Sequence, residues 1–339
     1  MLFDKVAIEA VACLMAPHRI SSESLEAQIA PTLQRLRIPP GRLQALSGIR
    51  ERRFWDTGTL PSAGATAAAR AVLEQADVDP QRIGCLISTS VCKDCIEPSM
   101  ASLVHGDLGL APHCANFDIG SACLGFIQGM GFVAQQIEAG LIDYGLVVDS
   151  EGSQEVVAAT LARLQHEGAT AQDFRDHFAT LTLGSGAVAM LLCHKRLART
   201  PHSLNGLVTL AATQHNRLCV GHADRMRTGP AARLIAGVKL VVQTWQLAAA
   251  ELPRWQDSQL AAYIPHQVSA RHMAAVAEAL HIPEAKLCLN FQTLGNIGPA
   301  AVPITLAMAA ESGAVKPGDH IGLLAIGSGL NCAMVSVDW

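Results

Sequence analysis

Short runs of apolar residues alternate along the chain with longer stretches in which apolar positions recur every three or four residues. The short runs predict strands at 6–12, 83–89, 146–149, 187–192, 207–211, 262–264 and 321–325. The longer stretches predict helices at 24–36, 65–75, 124–139, 232–251 and 270–280. Alternation of this kind predicts an α/β fold with mixed or parallel sheets covered by helices. Residues 153–177 are more charged and less periodic, and read as an inserted helical cap. Two faint echoes run through the pattern. GSGAVAMLL from Gly184 is similar to GSGLNCAMVSV from Gly327, and VAIEAVA near the start is similar to LVTLAAT from Leu207. Two halves that open and close on similar strands would account for both.

Bulk composition narrows the function classes. With 339 residues, 50% hydrophobic and only 16% charged, the chain has enough apolar material for about two domains or one large layered core. A net charge of −4 gives no basic footprint for nucleic acid. The longest apolar run, 178–193, is interrupted by Gly184-Ser185-Gly186 and reads as a turn feeding a buried strand, so no membrane span is expected. The ten cysteines follow no framework of spacings, and MLFDKVAIEA is no secretory leader. A reduced, cytoplasmic protein without disulfides is the expectation.

Candidate chemistry sits where strand-like runs end. In FDIGSACLGF, Cys123 lies among small residues just before a helical stretch, where free N–H groups and a partial positive charge would ease ionisation of a thiol. A packed, inert cysteine is the plain alternative. YIPHQ places His266 between a strand and a helix, where open α/β sheets hold ligands, although alone it reads better as a core or cap histidine. Asn296, between Gly295 and Gly298 in TLGNIGPAAVP, would by itself be a turn residue. The glycine turn in AIGSGLN could present N–H groups to an oxyanion. Arg50, Arg52 and Arg53, with Trp55 close by, form a basic cluster that suits phosphates or a solvated face. Cys92-Lys93-Asp94-Cys95 lacks the second pair that a zinc ribbon requires, and no metal is expected.

Taken in order, FDIGSACLGF, YIPHQ, GNIGPAAVP and the closing glycine turn resemble the thiolase superfamily, in its ketoacyl-ACP synthase III branch. SGIRERRF and LTLGSGAVAM also have counterparts, so the resemblance runs nearly end to end. It implies a thiolase fold, a five-layered αβαβα arrangement of two similar βαβαβαββ halves, here 1–197 and 198–339, and a homodimer. It also implies a Cys123 nucleophile working with His266 and Asn296, and an oxyanion site made by the N–H groups of Cys123 and Ser328. Fatty-acid initiation enzymes carry W-x-x-x-R ahead of T-G-I, whereas this chain has Arg42 and Leu46 ahead of Ser47-Gly48-Ile49. Leu294 stands where they have a histidine, and Glu97 where they have an apolar residue before Pro-Ser. The I-E-P-S and GNIGPA variants are most similar to the long-chain acyl-CoA condensing enzymes of bacterial olefin biosynthesis.

That resemblance implies a non-decarboxylative, head-to-head Claisen condensation of two fatty acyl-CoAs. The product would be a 2-alkyl-3-ketoacyl-CoA or, after hydrolysis, a β-keto acid. Two plain thioesters give a carbanion only when a base removes an α-proton, which supplies an independent reason for a carboxylate at position 97. In the twofold dimer that the family implies, Glu97 would serve the Cys123 of the other chain. Coenzyme A arrives with the substrate, the arginine cluster would meet its phosphates, and no resident cofactor is expected. Competing readings are a malonyl-dependent initiation ketosynthase, a ketosynthase of pyrone, β-lactone or dialkylresorcinol pathways, and an inactive partner subunit.

Overall fold

The computed structural model describes residues 1–222, 225–256 and 259–339. Nine strands form one mixed sheet: β1 (Val6–Met15), β2 (Ile83–Ser88), β3 (Ala115–Asp118), β4 (Tyr144–Glu151), β5 (Gly186–His194), β6 (Ser203–Ala211), β7 (Ala262–Pro265), β8 (His320–Gly327) and β9 (Asn331–Asp338). Their spatial order is β7-β8-β9-β6-β1-β5-β4-β2-β3. Outward from the centre, β1 pairs antiparallel with β5, β5 antiparallel with β4, and β4 parallel with β2. On the other side β6 pairs antiparallel with β9, β9 antiparallel with β8, and β8 parallel with β7. The second half therefore repeats four of the five strand positions of the first. The sequence echoes fall on equivalent places, β5 with β9 and β1 with β6. The halves meet where β1 lies beside β6, paired antiparallel at Ala7 and Ser203.

Burial on alternate faces produces the layers. Five helices matter here: α1 (Pro61–Ala76), α2 (Gly125–Glu138), α3 (Pro230–Glu251), α4 (Ala270–Leu280) and α5 (Ala301–Glu311). Val6, Ile8 and Val11 of β1 face a central core with Phe126, Met130 and Val133 of α2 and Val302, Ile304 and Leu306 of α5. Ala7 and Ala10 face the opposite way, toward Ala65, Ala68 and Val72 of α1. The register of β1 shifts between Ile8 and Ala10, which is why the face sequence skips a place at Glu9. That carboxylate is buried and accepts from the Arg199 backbone N–H at 2.9 Å and its Nε at 3.1 Å. In the second half, Val208, Leu324 and Met334 turn away from the central core to meet Leu240, Val241 and Val276 of α3 and α4. The result is helix, sheet, helix, sheet and helix, with the two sheet halves joined at one edge.

Local departures from the expected elements have local causes. The helix expected over 24–36 is two helices, Ser22–Gln28 and Ala30–Arg35, broken at Ile29 just before Pro31, which has no N–H to continue the ladder. The charged stretch is helical as expected, with helices Gln154–Gln165 and Ala171–His177. Its Val157, Leu161, Leu164 and Phe174 pack on Leu25, Ile29 and Leu33. A ribbon of His18–Ser21 with Glu51–Phe54 and a hairpin of Cys219–His222 with Arg225–Thr228 lie outside the periodicity reading. Among the described residues no helix is long and apolar enough to cross a membrane. All ten cysteines are free.

Candidate active site

Cys123 lies in the tight turn Ala122–Leu124 between β3 and α2. Ala122 takes a φ of 46°, a left-handed conformation that a side-chain-bearing residue adopts only when its surroundings impose it. The surroundings are close backbone. A Cβ at Gly327, the last residue of β8, would lie 3.1 Å from the Leu124 nitrogen and 3.3 Å from the Cys123 nitrogen. A Cβ at Gly125 would lie 3.0 Å from the Thr89 carbonyl, and one at Gly129 the same distance from Val147. Glycine at these places lets the cysteine turn fit between the β8–β9 hairpin and the strand ends.

Ordinary arguments about helix starts make this thiol easy to ionise, but burial overrides them. It pushes the Cys123 thiol up to about 12, with the Arg233 guanidinium the strongest opposing influence and Cys219 and Glu151 adding to the rise. Burial thus works against the helix start here, and ionisation of Cys123 needs help beyond it.

His266 is buried at the end of β7, its backbone N–H bonded to the Leu324 carbonyl at 2.7 Å. The Gly298 backbone lies close to the imidazole, yet neither ring nitrogen makes a well-formed hydrogen bond with the described residues. Burial, His272 and Arg233 hold the ring neutral, pulling it down to about 3. A buried donor or acceptor without a partner is costly, and is kept where something else completes it. Asn296 is fixed on both sides. Its backbone N–H donates to Thr182 and its carbonyl accepts from Gly184, each at 2.9 Å. Its side-chain Oδ1 accepts from the Gly298 N–H at 3.1 Å, which turns the amide so that the NH2 group remains the donor. The turn Gly298–Ala300 packs directly on the cysteine turn. Cys123, His266 and Asn296 are thus brought to one place from both halves of the chain.

Glu97 is not part of that cluster within its own chain. It sits exposed on loop 91–99, beside Ile96, which is 96% exposed. The loop's base is firmly tethered. Lys93 Nζ is 2.7 Å from Asp118 Oδ2, and Asp94 Oδ1 accepts from the Ser62 N–H at 2.9 Å. Glu151 Oε1 accepts from the Val91 N–H at 2.7 Å. Asp118 also caps the following helix, Met100–Leu108, through the Met100 and Ala101 N–H groups. Only the tip carrying Ile96 and Glu97 points away.

The arginine cluster separates in three. Arg52 is fully buried and donates to the Ile20 and Leu181 carbonyls and to Ser22 Oγ at 3.0 to 3.2 Å. It is a structural cation and cannot meet a phosphate, which corrects the expectation for that residue. Arg53 is partly buried with Nη1 3.5 Å from the Ala16 carbonyl, and Arg50 is exposed. Two residues that the sequence reading passed over lie at the site. Arg233, in the first turns of α3, reaches within 3.9 Å of the Cys219 sulfur and faces Cys123, His266 and His272. Glu151 ends β4 beside Cys123, buried and close to Asp149. Only Glu151 left any signal, as the second of two carboxylates that close a strand whose middle is apolar.

Comparison with known proteins agrees with this geometry. A curated acyl-CoA:acyl-CoA alkyltransferase of Xanthomonas campestris is 44% identical to this chain, with both covered completely. The chain belongs to the acyl-CoA:acyl-CoA alkyltransferase family. A second member, from Shewanella oneidensis, is 39% identical over the whole of both chains. The profile of the 3-oxoacyl-ACP synthase III C-terminal family matches residues 250–339. A crystal structure of Xanthomonas campestris OleA carrying a cysteine-to-serine change, with bound lauric acid and lauroyl-CoA, superposes with a TM-score of 0.97 at 43% identity, covering both chains fully. Another, with a glutamate changed to alanine, gives the same score and identity and covers 99% of that chain. The thiolase fold expected from the motifs is the fold of the family.

Proposed function

We propose that the protein joins two fatty acyl-CoAs head to head, with Cys123 as nucleophile and no decarboxylation. The convergence of the half-buried Cys123 with the buried His266 and Asn296 carries this reading. In the first half-reaction the Cys123 sulfur attacks the acyl-CoA carbonyl, the C–S bond to CoA breaks, and the thiol proton leaves with CoA. With burial raising the thiol and lowering the imidazole, His266 would take that proton as the bond forms and hand it to the departing thiolate. The N–H groups of Cys123 and Ser328 would receive the oxyanion.

In the second half-reaction a base takes the α-proton of a second acyl-CoA. The enolate oxygen is held by His266 and the Asn296 NH2, and its α-carbon attacks the acyl-cysteine. The sulfur leaves and is reprotonated, giving a 2-alkyl-3-ketoacyl-CoA or the β-keto acid formed from it by hydrolysis. Glu97 is the carboxylate assigned as base. Its exposed place on a tethered loop supports a homodimer in which it enters the site of the partner subunit. Arg50 and Arg53 remain the candidates for CoA phosphates.

Incubation of purified protein with one saturated long-chain acyl-CoA, followed by mass spectrometry, tests the assignment. The expected product contains both acyl chains and all their carbon atoms. Condensation seen only when a malonyl thioester is added, with release of CO2, would replace this reading with the decarboxylative one.

A further inference from the structure

Glu151 belongs to no step described above, yet it occupies the junction between the two parts of the site. It is 5% exposed at the end of β4. Its carboxylate accepts two successive backbone N–H groups of loop 91–99, Val91 at 2.7 Å and Cys92 at 3.3 Å. Its own carbonyl accepts from Trp55 Nε1 at 3.0 Å, which fixes the strand end. On its other side lies Gly298, in a positive-φ conformation of 56°, where a Cβ would sit 3.4 Å from the Glu151 carboxyl carbon. Gly298 is the residue whose N–H orients the Asn296 amide. One buried side chain therefore grips the root of the Glu97 loop while lying against the loop that carries Asn296.

We propose that Glu151 is a positioning residue whose main effect is on the opposite active site: by anchoring Val91 and Cys92 it sets the reach of Glu97 into the partner subunit. The inference rests on Glu97 acting across the dimer. Hydrogen bonds from backbone N–H groups to a buried carboxylate are among the stronger ones, and two in succession define both the position and the direction of the chain that follows. Lys93 and Asp94 tether the same loop further along, so Glu97 follows a short path from three anchors on its own subunit.

The consequence is an asymmetry that a merely structural role would not produce. Two-tag purification gives defined mixed dimers in which one subunit carries Cys123→Ala and the other Glu97→Ala. Each such dimer holds one complete site, built from the Cys123 of the second subunit and the Glu97 of the first. Adding Glu151→Gln to the Cys123→Ala subunit, the donor of Glu97, should lower condensation roughly tenfold, as expected for losing one charge-assisted grip. Adding it to the Glu97→Ala subunit should change condensation less than about threefold, because glutamine keeps the volume against Gly298 and the lost charge is only a minor influence on the nearby Cys123 thiol. Acylation of Cys123, read by intact mass, should be equal in both and confirms folding. Lys93→Met, which cuts a different and partly exposed tether, should show the same asymmetry and decides the matter if the Glu151 variant does not assemble. Equal losses from both placements, or no loss from either, overturns the role of Glu151 while leaving the trans assignment intact. An inactive reference dimer overturns the trans assignment, and this inference with it.

Discussion

The cysteine turn and loop 91–99 hold their reactive groups in opposite ways. Around Cys123 the backbone is closely confined, with a left-handed Ala122 before it and Gly327 so close that a Cβ there would lie 3.1 to 3.3 Å from the turn's nitrogens. Around Glu97 the backbone is confined only at its base, and the tip is bare. A nucleophile that must meet an oxyanion site within a fraction of an ångström needs the first arrangement. The base proposed to complete the partner subunit's site would need the second, because the surface that confines it would belong to the partner.

The most severe way to test the confined half is to remove its sulfur. Cys123→Ser should fold but give no acyl adduct by intact mass after exposure to acyl-CoA, and an adduct mapped to another cysteine would move the nucleophile. Next in size is Gly327→Val. Its side chain would press on the Cys123 N–H, and acylation should fall by about 10²- to 10³-fold, the usual loss for an oxyanion donor. Stopped-flow release of CoA measures this, and a value near wild type would remove the Cys123 N–H from the oxyanion site.

Protonation gives a graded test of the same region. With its pKa raised to about 12, Cys123 is a thiol throughout pH 7 to 9, and each unit upward exposes about ten times more thiolate. Iodoacetamide alkylation of the Cys123 peptide should therefore rise about tenfold per pH unit without a plateau. A plateau below pH 8 would mean the site ionises the thiol unaided. The arginines supply the smallest expected effects and the sharpest contrast. Arg52→Met takes the guanidinium donor from the Ile20 and Leu181 carbonyls in the core, and should cost about 2–4 kcal/mol in denaturant unfolding. Arg50→Ala should leave stability within about 0.5 kcal/mol and raise the KM for acyl-CoA severalfold.

That contrast marks how far the sequence could be read. Arg50, Arg52 and Arg53 look alike in the string, and alternation says only that neighbours on a strand face opposite ways. Which of them is entombed depends on pairing of Glu51–Phe54 with His18–Ser21 and on the packing of Leu181 over it. Most strands and helices were legible because they are period signals within one segment. The internal echo was legible because β5 and β9 occupy the same place in the two halves, and so carry the same glycine entry and apolar run. Cys123, His266 and Asn296 were found by motif, since each stands at a strand or helix end with small neighbours. Arg233 was not, because nothing near position 233 announces a partner more than a hundred residues earlier. The burial that opposes ionisation of Cys123 was not legible for the same reason: a helix start is local and visible, whereas burial comes from packing by distant parts of the chain.

The central claim is that the base of each active site, Glu97, comes from the other chain. Glu97→Ala and Cys123→Ala should each be inactive in condensation alone, although Glu97→Ala still acylates its cysteine. Refolded together in equal amounts, they should regain about a quarter of wild-type activity per total subunit, because random pairing makes roughly half the dimers mixed and each mixed dimer holds one complete site. No recovery, in a mixture shown to contain mixed dimers, would contradict the account.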